Sequence, residues 1–323
     1  MEEIIKIIHT NKWLWISVAI ILSFITSNAV LCLIIGMAVA IIFGNPTAKE
    51  TGKASERLLK TAVVLMGFGM SIGTMLSVGY ASLWITFSSI ILTMVFGILY
   101  GRLFGTDRHI AVLVSSGSAI CGASAVATMS PAIGATQVHT AIALAIIYIL
   151  NTLGLMLFPF LGHLLNLSPE HFGLWAAISI HNTSGVVAAV QVYGGAAVAI
   201  GVTVKLVRAL WIFPLAFIGS RLTKSETKPP FQWFLLAFLA AGIITSILPE
   251  YKDTWKLLSK AGKHLMAGTL FLVGSCLTIT ELKKVGIRSL AMAVALWVTI
   301  ALIAYIAVIT GFWHIPADVF IEK

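Results

Sequence analysis

Lys205 and Arg208 are the residues whose chemistry most needs a reason. They lie three positions apart in the apolar run 195–219, with the next charge at Arg221. On a helix that spacing puts both on one face. A cation at the centre of a bilayer costs about 2.5–3.5 kcal/mol on insertion scales and is usually paired or functional. The chain has twelve acidic residues. Each is terminal, in a loop or at a helix end, so no carboxylate is placed to pair them. A bound anion, or water in a cavity open to the inside, is then the neutraliser. The competing reading is snorkelling to the cytoplasmic face, over about two helical turns for Arg208 and nearly three for Lys205. For an oxyanion the pair is well matched, since Arg offers a planar fork and Lys a compact charge. The lack of a buried acid argues against sodium or proton exchange through an intramembrane carboxylate.

Two polar clusters interrupt apolar segments on the N-terminal side of that pair. The first runs from Ser115 to Pro131 and includes Ser118, Cys121, Gly122 and Ser124. The second is Ser179-Ile-His-Asn-Thr-Ser-Gly185, followed by Tyr193-Gly194-Gly195. Non-helical backbone at membrane depth is tolerated only where protein or a wet cavity satisfies it. Helix ends made there direct free N–H groups and partial positive charge at the site, which suits an anion. Interrupted helices near the midplane are where secondary transporters bind substrate. For the first cluster the alternative is close packing by small residues, with the hydroxyls bonded back to their own helix. The second is more specific, because His181 and Asn182 add costly polar groups beside Thr183 and Ser184. His181 could donate to an oxyanion or carry a proton near neutral pH. Gln137, His139 and Asn151 are lesser candidates.

Of the 323 residues 59% are hydrophobic and 10% are charged, and mean hydropathy is +1.00. A soluble domain carries about 25% charged residues, so this chain could not cover a globular surface. At roughly 20 residues per span, there is room for about eleven transmembrane helices and short loops. The expected class is an all-α polytopic membrane protein, a single transporter domain over 1–323 with no separate soluble domain and no cleaved signal. Apolar runs predict helices over 13–26, 29–43, 58–77, 81–100, 109–130, 138–160, 172–192, 195–219, 231–248, 263–281 and 287–312. The net charge of +9 fits Lys- and Arg-rich inner loops rather than a nucleic-acid partner. Lys6, Lys12, Lys49, Lys53, Arg57, Arg102, Arg108, Arg221, Lys224, Lys228, Lys283, Lys284 and Arg288 fall at the N-terminus and in alternate loops. This places the N-terminus inside. The loop carrying Lys252, Lys256, Lys260 and Lys263 breaks the pattern. Cys32, Cys121 and Cys276 give neither a disulfide framework nor a metal-ligand spacing. No metal, cofactor or ATP-binding motif is expected, and no His-Glu-x-x-His, paired intramembrane carboxylates or Cys-x-x-Cys points to an enzyme.

An internal echo is present. Residues 65–83 and 272–290 agree at seven of nineteen positions. On the predicted helices the two copies run oppositely through the membrane, which is the sequence trace of an inverted-repeat transporter.

Three motifs, Ser118-Ala-Ile-Cys-Gly-Ala-Ser-Ala-Val-Ala127, Ser179-Ile-His-Asn-Thr-Ser-Gly-Val-Val-Ala-Ala189 and Val204-Lys-Leu-Val-Arg-Ala209, resemble those of the YeiH family of bacterial inner-membrane proteins. That family carries the label of sulfate exporter. The resemblance spans most of the chain, with the motifs in family order. It implies an inverted-repeat fold related to bile-acid symporters and sodium–proton antiporters, with two crossing discontinuous helices. It also implies a bacterial cytoplasmic-membrane location. The family commonly has His-Asp where this chain has His181-Asn182, so a coupling role carried by that acid is in question here. The leading expectation is secondary transport of a small anion, sulfate or a related sulfur oxyanion. A cation-coupled organic-anion carrier, an anion channel and a membrane-embedded enzyme are the alternatives. The bilayer and the small anion are the expected partners, with a homodimer left open.

Overall fold

A computed structural model describes residues 14–26, 29–45, 47–223, 233–276 and 286–315. Among these the chain is all-α, with helices and one short 3-10 turn. Among the described residues four helices are long and apolar enough to cross a membrane, Ile72–Leu103, Gln137–Leu164, Gly195–Arg221 and Ile287–Ile309, and shorter apolar helices accompany them. Large apolar side chains such as Phe24, Trp84, Leu103 and Phe160 are exposed. That is a liability in water and the normal outer surface in lipid.

The chain divides into two compact units. The first takes residues 1–75 and 232–281. It contains α1 (Leu14–Ile25), α2 (Ala29–Phe43), α3 (Ala48–Gly67), α12 (Trp233–Ile247) and α13 (Lys252–Ser275). Helix α13 is its hub, packed on α1, α2 and α3. Its Gly274 sits so close to the Leu33 carbonyl of α2 that a Cβ would collide with it, the close approach that small residues permit between membrane helices. Asn45 ties the end of α2 to that of α13, donating to the Ser275 carbonyl at 2.9 Å.

The second unit takes residues 76–231 and 282–323. It holds most of α4 (Ile72–Leu103), then α5 (Arg108–Ala119), α6 (Ala123–Ala132), α7 (Gln137–Leu164), α8 (Pro169–Ser179), α9 (Thr183–Tyr193), α10 (Gly195–Leu210), α11 (Ile212–Thr223) and α14 (Ile287–Ile309). Its core joins Leu113 and Val114 of α5, Ile146, Ile147 and Leu150 of α7 and Met292 of α14, all buried. Helices α10 and α14 both pack against α8.

Boundaries differ from the sequence reading: the run 195–219 is two helices, α10 and α11, meeting at Trp211, and α3 begins at Ala48 rather than 58, so Lys49, Lys53 and Arg57 sit on a helix and not in a loop. The predicted helices 58–77 and 81–100 are α3 and α4, whose junction is at 68–71. There the Ser71 hydroxyl accepts from the Thr74 N–H at 3.2 Å and starts α4, an N-cap signal that hydropathy does not register. Helix α13 begins at Lys252 rather than 263. Lys252, Lys256, Lys260 and Lys263 therefore sit on helical turns and not in a loop, because exposed lysines are good helix formers. Lys6, Lys12, Lys224, Lys228, Lys283 and Lys284, which carry much of the expected inner charge, lie outside the described residues, as does 277–285 of the second echo copy.

Candidate functional site: two crossed helix breaks and a buried cation pair

Both polar clusters are breaks in the structure. Helix α5 stops at Ala119 and α6 starts at Ala123, while α8 stops at Ser179 and α9 starts at Thr183. In the first break Gly122 takes φ 73 and ψ −121, a backbone region that only glycine enters cheaply. Its N–H returns to the Gly117 carbonyl at 2.9 Å.

The breaks touch. Asn182 precedes α9 but does not cap it. Its Oδ1 instead accepts from the Ala123 N–H, at 3.1 Å, capping α6 across the crossing. The Asn182 N–H in turn donates to Asn151 Oδ1 on α7 at 2.8 Å. His181 Nε2 pairs with the Ser118 hydroxyl at 3.1 Å, joining the second break to the last turn of α5. A Cβ on Gly122 would collide with the Asn182 side chain, so the two breaks leave no room between them at that point.

Lys205 and Arg208, on α10, are both fully buried. Neither side chain snorkels along its helix. Both turn onto the carbonyl end of α8. Lys205 Nζ donates to Ile180 O at 2.8 Å and Ala177 O at 3.3 Å. Arg208 Nη1 donates to Ile178 O at 2.6 Å and Ala177 O at 3.4 Å. Trp297 of α14 supplies the remaining donor, Nε1 to Ser179 O at 2.9 Å. The carbonyls from 177 to 180, which an ending helix leaves unsatisfied, are thus capped by side chains from two other helices. Trp297 had no signal in the sequence beyond a lone indole in an apolar run. Asn151 did carry one, an amide in mid-span.

The structure gathers the sequence candidates around this crossing. Ser118 and Cys121 are buried, and Thr183 and Ser184 are buried in the first turn of α9. Gly122 is buried and Ser124 half-buried. Cys121 lies in the first break, between α5 and α6. The N-terminal ends of α6 and α9 both meet here, each adding about half a positive charge. The C-terminal ends of α5 and α8 also meet here and offset those two N-termini, leaving the two full cations uncompensated. Among the described residues no carboxylate is in contact with Lys205 or Arg208.

A second titratable cluster lies at the N-terminal ends of α5 and α7. Asp107, His109 and His139 bring one ligand atom each within 4.8 Å of one another. Asp107 caps α5, accepting from the His109 and Ile110 N–H groups at 2.8 and 3.3 Å. The two imidazoles stack with centroids 5.0 Å apart. Burial acts against ionisation of Asp107, but those two N–H groups and the adjacent imidazoles hold its carboxyl below the ordinary value. His139 Nδ1 accepts from the Thr136 N–H, which leaves the neutral ring's proton on Nε2, facing Asp107 at 3.7 Å. That tautomer, and two helix N-termini, disfavour a cation here, and the cluster reads as a clip between helix starts.

Residues 13–293 match the family model described as conserved hypothetical protein 698. The chain is 40% identical over 275 residues to a UPF0324 membrane protein of Geobacter sulfurreducens, covering 85% of this chain and 89% of that one. It is 36% identical over 298 residues to a UPF0324 membrane protein of Bdellovibrio bacteriovorus, covering 90% and 91%. A UPF0324 membrane protein of Bacteroides thetaiotaomicron is 38% identical over 279 residues, covering 85% and 84%. No solved structure matches the chain.

Proposed function

The chain belongs to the conserved hypothetical protein 698 family of bacterial membrane proteins, the YeiH-like family its motifs resemble, and we propose that it is a secondary transporter of a small anion, in the first place sulfate or a related sulfur oxyanion. One observation carries the reading. Two fully buried cations sit beside crossed helix breaks with no carboxylate among the described residues to pair them. Burying unpaired charge is among the costliest things a protein does, and the positive potential of Lys205 and Arg208, with the N–H groups of two helix N-termini beside them, suits an anionic cargo. Binding falls to Lys205, Arg208, His181, Asn182, Thr183, Ser184 and Ser118, with Cys121, Gly122 and Ser124 shaping the opposite break. In this reading the chain makes about eleven spans in the bacterial cytoplasmic membrane with its N-terminus inside. The echo between 65–83 and 272–290 marks an inverted repeat, and the chain is not an enzyme.

The test is saturable counterflow. Purified protein in proteoliposomes loaded with unlabelled sulfate should accumulate external labelled sulfate transiently, and sulfite or thiosulfate should compete. Vesicles that show no counterflow with any of these anions, although the protein is folded and inserted, would remove the transport proposal. Large unitary currents would reassign it to a channel.

A further inference from the structure

We propose that Arg208 receives the anion through its Nε–Nη2 edge, so that the site takes a small oxyanion with two coplanar oxygens in preference to a spherical ion. The inference rests on the anion-transport reading and deepens it by assigning the recognising edge.

The geometry is asymmetric within one guanidinium. Nη1 is committed to the Ala177 and Ile178 carbonyls. Nε and Nη2 are buried and have no hydrogen-bond partner among the described residues, and the side chain as a whole is fully buried. Charged donors without acceptors are expensive to bury, so a bare edge on an otherwise anchored arginine calls for an acceptor from outside the chain. Nε and Nη2 are the pair that forms the side-on fork, two parallel N–H vectors matched to two oxygens of a carboxylate, sulfonate, sulfate or phosphate. The Nη1 anchor fixes the plane of that fork before any ligand arrives, which lowers the ordering cost of binding. Lys205 is not bare in the same way, because two of its three donors are spent on carbonyls.

The surroundings agree. Arg208 lies within electrostatic reach of His181 and Cys121, the residues of the two breaks. His181 Nδ1 is a further buried nitrogen without a partner among the described residues. With the edge closed off from solvent, a ligand must enter and leave through a different arrangement of the second unit, as a carrier requires and an open pore does not. A halide offers a single acceptor point and gains little from a planar fork. A lipid phosphate presents the same oxygens as a free oxyanion. Full burial of the edge favours the free ion, and the lipid is tested separately.

The experiment measures anion affinity in detergent at constant ionic strength for wild type and Arg208→Lys, with sulfate, sulfite, thiosulfate, methanesulfonate, acetate, chloride and bromide. Wild type should prefer at least one oxyanion over chloride by about tenfold or more. Arg208→Lys should lower affinity for that oxyanion by about 10- to 100-fold, the loss of one charge-assisted hydrogen bond, and change chloride affinity less than about threefold. A retained oxyanion-to-chloride ratio in a folded Arg208→Lys protein overturns the assignment of the edge but leaves anion transport standing. Absence of binding by wild type for every anion removes the transport reading itself. If the variant does not fold, the Arg208 Nε–H resonance of selectively labelled wild-type protein decides. It should move on titration with the preferred oxyanion and not with chloride, and a stationary resonance overturns the inference. Native mass spectrometry covers the lipid. A phospholipid retained by wild type, lost in Arg208→Lys and not displaced by sulfate would give the edge to a headgroup and overturn the free-ion proposal.

Discussion

The contact between the two breaks can be tested by a double-mutant cycle on Gly122 and Asn182. Alanine at 122 has two costs. Its backbone would be held at φ 73 and ψ −121, worth about 1–3 kcal/mol for a non-glycine residue. Its Cβ would also collide with the Asn182 side chain, which must swing away and release the Ala123 N–H, at about 1–3 kcal/mol for a buried donor left unsatisfied. Asn182→Ala alone loses the cap but keeps the glycine, at about 0.5–2 kcal/mol by the usual cap scale or more here because the site is buried. In the double variant the strain remains, yet the cap is lost only once and the side-chain collision is gone. The two single costs should therefore exceed the double cost by about 1–3 kcal/mol. Unfolding free energies from SDS titration in mixed micelles give all three values. Additivity within about 0.5 kcal/mol, the normal result for independent sites, would mean that the breaks do not meet as described. A harmless Gly122→Ala would refute the conformational half of the reasoning.

Three further outcomes are expected. Lys205→Met removes a buried charge, a relief of several kcal/mol, but orphans the Ile180 carbonyl and strips the α8 terminus of a cation, together about 2–4 kcal/mol. Stability of the ligand-free protein should thus move little while sulfate affinity falls at least about tenfold, as thermal melts and titration together would show; strong destabilisation with unchanged affinity would reduce Lys205 to a cap. Asn182→Asp introduces the carboxylate common in the resembling family and sets a negative charge beside the proposed anion site, so sulfate affinity should drop at neutral pH and recover on acidification, and a pH-independent affinity in this variant would speak against the placement. Asp107 has its carboxyl held below the ordinary value, so its contribution is present above about pH 3.9 and is lost as pH falls through the depressed value; because the group is half exposed the effect is small, and Asp107→Asn, which keeps the capping oxygen, should flatten the acid limb of a thermal-melt pH series.

Much of the site could be read in the sequence because its residues violate the rule for lipid-facing helices. His181, Asn182, Lys205 and Arg208 each cost free energy in hydrocarbon, and that cost is visible one residue at a time. The breaks at 120–122 and 180–182 followed from local composition for the same reason. What could not be read is how the polar groups satisfy one another. Asn182 looks like the cap of its own helix but serves α6, fifty-nine residues earlier in the chain. Trp297 is apolar by count, and only the packing of α14 on α8 makes its indole a cap for Ser179. The amphipathic start of α13 was missed because four lysines read as a loop when hydropathy alone is scored, although their helix propensity is high.

The carbonyl partners of Lys205 and Arg208 bear on the anion proposal in both directions. They answer part of the desolvation problem, since four carbonyls at a helix C-terminus amount to about half a negative charge. Had they answered all of it, the pair would be structural and the site neutral. The charge count says otherwise. The C-terminal ends of α5 and α8 and the N-terminal ends of α6 and α9, each about half a charge, cancel one another, so the two cations remain as an excess of about two. The excess is also directional, because within Arg208 the Nη1 donor is used and the Nε–Nη2 edge is not. A capping role accounts for where these side chains are anchored. It does not account for choosing a guanidinium where a neutral amide could cap carbonyls without burying charge, and that surplus is what an anionic ligand would neutralise.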